Sequence, residues 1–187
     1  MEYEIIYSKR KSIGLCVGKN GSITVRAPLG CPRSLTDSFV CQKRDWIEKQ
    51  LEKASLVKAE AEAAGEISKE ELLSLAKRLR SVLDEKLPYY AGLIGVSFGR
   101  VTVRAQRSKW GSCSSKGNLS FNCLLMLAPE EVLDYVIVHE LCHRKHMDHS
   151  KRFWALVKSV LPDHEKPRRW LKEHGGALMT RAFPPRD

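Results

Sequence analysis

The chain has 187 residues with 32 Lys and Arg against 22 Asp and Glu, a formal charge of +10; that length holds one full core, or a catalytic domain with a small appendage, but not two large independent domains. It has no apolar run of about 18 residues and no N-terminal charged-then-apolar succession, so neither a membrane-spanning helix nor a secretory signal is indicated and the expectation is a soluble, cytoplasmic protein without membrane partners. The charge favours acidic partners in general, but residues 101–187 carry 15 basic and 9 acidic side chains, so it is spread along the chain, and no aromatic residues alternate with basic ones as in a single-strand nucleic-acid platform.

From the N-terminus, Tyr3–Tyr7, Ile13–Val17 and Ile23–Ala27 read as three short strands of an antiparallel meander, with a turn at Gly18–Gly21. A sheet this small needs cover. A helix beginning near Ser34 and carrying Phe39, Val40, Trp46, Ile47 and Leu51 at helical spacing supplies it, with Ala59–Gly65 either prolonging that helix or forming a link. A second helix fits Lys69–Leu87, capped by Ser68 and halted by Pro88. Val96–Gln106 and Asn118–Leu127 then bracket a turn-rich segment, Arg107–Gly117, and predict a hairpin. Helices follow over Lys151–Leu161 and Pro167–His174, the latter ended by Gly175, and the tail 182–187 is expected to fray. The division expected is 1–60 for the N-terminal strands and helix and 66–180 for the catalytic region, together one compact α+β unit.

Six cysteines, at positions 16, 31, 41, 113, 123 and 142, form no C-x-x-C pair, so reduced and mostly buried thiols are expected. The stretch that carries chemistry is His139-Glu140-Leu141-Cys142-His143, continuing to His146 and His149. It begins after the apolar run Val132–Val138, with Pro129, Glu130 and Glu131 marking the helix start. Histidines four apart on a helix present both imidazoles on one face, where one Zn²⁺ can take both, and Glu140 stands beside the ion as a general base. Polar side chains on a buried helix are costly unless partnered, and a metal is the economical partner. Cys142 points to another face and packs.

His146, His149, His164, His174 and a distant carboxylate compete for the third ligand position. His146 lies roughly 10 Å along the helix axis from His139. His149 precedes Ser150, a natural N-cap, so the chain can turn there, and its offset of six from His143 matches the extended motif His-Glu-x-x-His-x-x-Gly-x-x-His with His146 in place of the glycine. This makes His149 the preferred third ligand.

Several stretches, Lys109-Trp110-Gly111-Ser112-Cys113-Ser114, Leu119-Ser120-Phe121-Asn122, Leu127-Ala128-Pro129, Val138–His143 and His149-Ser150-Lys151-Arg152-Phe153-Trp154, together with Val25–Pro28 and Lys43–Ile47, resemble the YgjP-like metal-dependent hydrolases, relatives of the SprT-like and WLM zinc metallopeptidases. The resemblance implies a zincin-like catalytic domain with a small N-terminal β extension, and zinc held by His139, His143 and His149. The activity expected is zinc-dependent hydrolysis of a peptide or protein substrate, with Glu140 as the catalytic residue. Two alternatives stand beside it: a nucleoside triphosphate pyrophosphohydrolase, weakened by the lack of a G-x-x-x-x-G-K-[ST] cradle, and a DNA-associated SprT-like protease module, weakened by the diffuse charge. Asn118–Leu127 offers an edge on which an extended substrate can pair, and Arg107 or Lys109 a cation near the cleft.

Overall fold

Alternation in the third strand decides how the N-terminal sheet is built. The computed structural model describes residues 1–18 and 20–184; Lys19 of the expected turn and residues 185–187 of the tail lie outside them. The strands are β1 (Glu4–Ser8), β2 (Gly14–Val17) and β3 (Ile23–Pro28). Ile23, Val25 and Ala27 alternate into the core at 7%, 0% and 0% exposure, so β3 takes the centre, where both of its edges are paired. The sheet order is β1-β3-β2: β2 pairs antiparallel with β3, as a meander requires, but β1 pairs parallel with it, Ile5 opposite Val25 and Tyr7 opposite Ala27. Sequence adjacency of β1 and β2 is thereby overruled by the burial that β3 offers.

The expected covering helix is two helices, α1 (Arg33–Gln42) and α2 (Arg44–Ala64), separated at Lys43, whose N–H turns back to the carbonyls of Phe39 and Val40. Val40 and Ile47 join Ile23 and Val25 in the core of this unit, with Ile5, Leu15 and Leu51 packed around them. Ala59–Ala64 prolongs α2, and Gly65 follows with φ 73°, a left-handed conformation that ends helices and favours glycine.

Gly65–Pro184 form a second compact unit. Its first helix, α3 (Lys69–Ile94), is capped by the Ser68 hydroxyl, which accepts from the Glu71 N–H at 3.1 Å. Pro88 does not halt it. The proline is exposed, whereas Leu79, Leu83, Leu87, Tyr90, Ala91 and Ile94 form one buried stripe. A helix-interior proline costs about 3 kcal/mol, and burying Leu87, Tyr90 and Ile94 at about 1.5–3 kcal/mol each outweighs it. The helix stops at Gly95, in the left-handed region at φ 71°.

The second sheet contains β4 (Val101–Arg104), β5 (Gly111–Cys113) and β6 (Leu119–Asn122) in the order β4-β6-β5. The expected hairpin of 96–106 with 118–127 is corrected here: β4 pairs parallel with β6, and the hairpin is β5 with β6. Asn122 explains where β6 ends. Fully buried, it donates from Nδ2 to the carbonyls of Gln106 and Lys109, each at 2.9 Å, and its Oδ1 accepts from Leu124 N–H at 3.2 Å. The side chain starts a 3-10 turn over Cys123–Leu127 where the sequence suggested more strand. Because β6 is paired on both sides, the free edges of this sheet belong to β4 and β5.

Three helices complete the unit: α4 (Glu130–Cys142), α5 (Lys151–Val160) and α6 (Glu165–Ala182). α4 runs through the core, with Val132, Val136 and Ile137 against Leu79, Leu83, Phe121, Phe153 and Val157. α6 continues past Gly175, the expected stop, because that glycine serves packing: a Cβ there would stand 2.9 Å from the Trp110 indole. Gly175→Ala gains about 0.8–1.0 kcal/mol of helix propensity against an overpacking cost of about 1–3 kcal/mol. The variant is therefore expected to unfold at lower urea concentration, and a rise in its midpoint would show that Trp110 does not fill that space.

Candidate metal centre

α4 delivers His139 and Glu140 from its last turn and ends immediately after Cys142, leaving His143 as its C-cap at φ −63°, ψ −14°. The turn that follows is held from outside. Arg144 Nε donates to the Ser97 carbonyl at 2.9 Å and Lys145 Nζ to the carbonyl of Ile94, so the chain reverses at a fixed place and returns His149 toward His139. Ser150 then caps α5, its hydroxyl accepting from the Phe153 N–H at 3.5 Å.

The outcome is a cluster of His139, His143 and His149 in which each offers a ring nitrogen and these nitrogens all lie within 4.8 Å of one another. Nε2 of His139 and Nε2 of His149 are 3.1 Å apart. His143 Nδ1 lies 3.0 Å from the carbonyl of His146, an acceptor that fixes the proton on Nδ1 and leaves Nε2 for an ion. His146 thus contributes its backbone while its ring stays out of the cluster. Burial grades across the group, with His143 buried, His139 half-buried and His149 exposed. Phe153 closes the floor, its ring 4.6–4.9 Å from all three imidazoles, and Trp154 stacks on His149 at 5.8 Å.

Burial sets the electrostatics. The pKa of His139 is lowered to about 3, first by burial and then by the neighbouring His143 and His149; that of His143 is also lowered, burial again leading. Both imidazoles are therefore neutral at neutral pH, as metal ligation requires. Glu140 is 6% exposed, and burial raises its pKa to about 7, with Lys109 opposing. A carboxyl group near 7 is matched to accepting and returning a proton at physiological pH.

Gly111 makes room for that carboxyl group. A Cβ on it would stand 2.6 Å from Glu140 Oε1 and 2.7 Å from Cγ, so the glycine of β5 is needed for close approach, whereas its φ is not positive. Sequence reading treated Gly111 as a turn glycine, because a contact across 29 positions leaves no local pattern. It also missed Phe153 and Trp154 as the wall of the cluster. Arg107 stacks over Phe183 at 4.8 Å, and Lys109 is the cation whose charge reaches Glu140. His164 packs on Trp154 at 6.0 Å and His174 on Trp170 at 5.1 Å, both apart from the three-histidine group. Cys142 is buried, as expected; among the six thiols, all unpaired, Cys123 is buried too, but Cys16 and Cys41 are exposed, because alternation and helix faces in the N-terminal unit turn them outward.

A His-Glu-x-x-His helix whose two histidines meet a third beside a buried glutamate is the layout of a metal-dependent hydrolase. The chain belongs to the YgjP-like family: the family's metallopeptidase domain matches residues 11–76 and 68–174, which makes the protein a metal-dependent peptidase. Among solved structures it is similar to the metallopeptidase zymogen of Pyrococcus abyssi abylysin, at 24% identity over 48% of this chain and 92% of that one, with a TM-score of 0.44. It is also similar to the metallopeptidase zymogen of Methanocaldococcus jannaschii jannalysin, at 21% identity over 48% and 91%, with a TM-score of 0.42. No curated protein matches the sequence. Among the described residues no helix is long and apolar enough to cross a membrane.

Two expectations follow from Glu140. Gly111→Ala should displace its carboxyl group and lower peptide hydrolysis by about 10²-fold, while metal content by elemental analysis stays at the wild-type value. The second concerns pH in metal-stripped protein. Glu140's folded pKa of about 7 lies above the ordinary 4.5, so the native state holds the extra proton between these values; this contribution to stability is complete below pH 4.5 and is lost as pH rises through 7. His139, lowered from 6.5 to about 3, acts oppositely, its contribution being complete above pH 6.5 and lost toward pH 3. Replacing Glu140 by Gln removes only the first effect. Metal-free Glu140→Gln should thus exceed metal-free wild type at pH 8 by on the order of 3 kcal/mol, the gap closing by pH 4.5; equal stability at both values would show that the carboxyl group is not held in an apolar setting.

Proposed function

We propose that His139, His143 and His149 hold one Zn²⁺ and that Glu140 is the general base and acid of a zinc metallopeptidase. The observation that carries this reading is the convergence of three imidazole ring nitrogens within 4.8 Å beside a buried carboxyl group with a pKa of about 7. An all-imidazole donor set with His-Glu-x-x-His spacing suits zinc better than calcium or magnesium, which take oxygen ligands. Bound there, zinc supplies Lewis acidity toward water and the scissile carbonyl. Glu140 Oε1, fixed against Gly111, takes a proton from the attacking water and hands it to the leaving amine. β5 supplies the sheet edge on which an extended peptide can pair through its backbone, a mode that places few demands on sequence. Six unpaired thiols suit a reducing cytoplasm.

The ligand assignment is tested by elemental analysis: His149→Ala should lose most of the metal, and His146→Ala should keep it, since only the His146 carbonyl serves the site. The reverse ranking overturns the assignment. Glu140→Gln should retain about one zinc per chain and lose peptide hydrolysis by about 10²-fold or more. Release of zinc from that variant would make Glu140 a ligand, and turnover of a nucleoside triphosphate in place of peptide would move the substrate to another class.

A further inference from the structure

Arg168 belongs to the first turn of α6 and stands outside the histidine cluster, yet it is joined to it through one ring. Its guanidinium carbon lies 4.5 Å from the centroid of the Trp154 ring. That same ring stacks on His149 at 5.8 Å and 28°, and its centroid is 5.9 Å from that of His139. The cation therefore stands one aromatic ring away from His149 and His139.

The guanidinium is half committed. Nη1 donates to Glu165 at 3.2 and 3.5 Å, whereas Nε and Nη2 have no protein acceptor among the described residues and the side chain is 51% exposed. Glu165 is itself steadied by His164, whose Nε2 lies 3.3 Å from it and which is buried behind Trp154. An arginine anchored through Nη1 and stacked on an indole loses much of its rotamer freedom, while Nε–H and Nη2–H keep the parallel donor pair that matches a carboxylate. The charge stands beside the site: the guanidinium lies over the same Trp154 ring that stacks on His149.

We infer that Arg168 is a specificity-determining residue that binds a carboxylate of the peptide substrate next to the scissile bond. The carboxylate is either the C-terminal α-carboxylate or the side chain of Asp or Glu. This rests on the peptidase reading above. A purely structural Arg168, holding Trp154 and Glu165, would affect every peptide alike; a carboxylate reader separates acidic from neutral ones.

The experiment uses zinc-loaded full-length protein and one peptide sequence in paired forms: free C-terminus against amide, and Glu against Gln on either side of the cleaved bond. Wild type should favour the carboxylate form of one pair by about tenfold to a hundredfold in kcat/KM, chiefly through KM. Which pair responds distinguishes an α-carboxylate from a side chain. Arg168→Ala should bring that ratio to about one, and Arg168→Glu should turn it toward a Lys-bearing peptide. Calorimetric binding of the same pairs to Glu140→Gln protein, with and without Arg168→Ala, reads the preference without turnover. Hydrolysis by wild type with no preference in any pair overturns the inference and leaves the peptidase reading standing. A preference that survives Arg168→Ala but is lost in Lys109→Ala overturns it as well. Failure of wild type to cleave any of the peptides while retaining zinc overturns the peptidase reading and this inference with it.

Discussion

The contact on which the rest depends is a carboxyl group pressed against a backbone that has no side chain: Glu140 against Gly111. Burying Glu140 to 6% exposure raises its pKa only because no donor or cation nearby is strong enough to keep it charged. The hairpin β5–β6 must therefore be placed with precision, and the buried Asn122 does this by tying the loop before β5 to the end of β6 through both carbonyls it reaches. Trp110, between that loop and β5, is in turn seated on Gly175 of α6. Two glycines thus set the arrangement: Gly111 in a strand makes room for Glu140 of α4, and Gly175 in a helix makes room for the Trp110 indole.

The gradient of burial across the histidines has a structural cause. His143 and His139 come from a helix inside the core, whereas His149 comes from the turn after it and is exposed. A side chain on a turn costs ordering entropy when it is held in one place. Lys145 and Arg144 pin the turn to the last carbonyl of α3, at Ile94, and to that of Ser97 beyond it, and the rings of Phe153 and Trp154 fix the imidazole from the side. Much of the ordering is therefore done by folding and not by the metal.

The helix that carries His139 and His143 was legible because its signals are local: an apolar run, a helix start at Pro129–Glu131, and histidine spacings of four and six. The turn at His149 followed from the Ser150 N-cap, which the structure shows in place. The helix stops at Pro88 and Gly175 were misread for a common reason. Each residue is a poor helix former by propensity, but Pro88 lies on the solvent face of a helix buried beyond it, and Gly175 receives an indole; tertiary packing outweighs a local cost of about 1–3 kcal/mol at both. Gly111 carried no local clue at all, since its partner is on another element.

The two sheets show why strand pairing was the least legible feature. Both have the order first-third-second, with the first strand parallel to the third and the second antiparallel to it. In each, the strand that comes last in sequence is the most buried and takes the centre: β3 has Val25 and Ala27 at 0%, and β6 has Phe121 at 0% with every residue buried. Turn signals report only which strands can form a hairpin, and they were read correctly for β2 and β3. They say nothing about where a strand two connections earlier will dock, which is decided by the edge still open on the central strand. In the second unit this arrangement fills one side of β6 with β4 and the other with β5, so that β5, the strand that carries Gly111, is an edge strand packed beside α4.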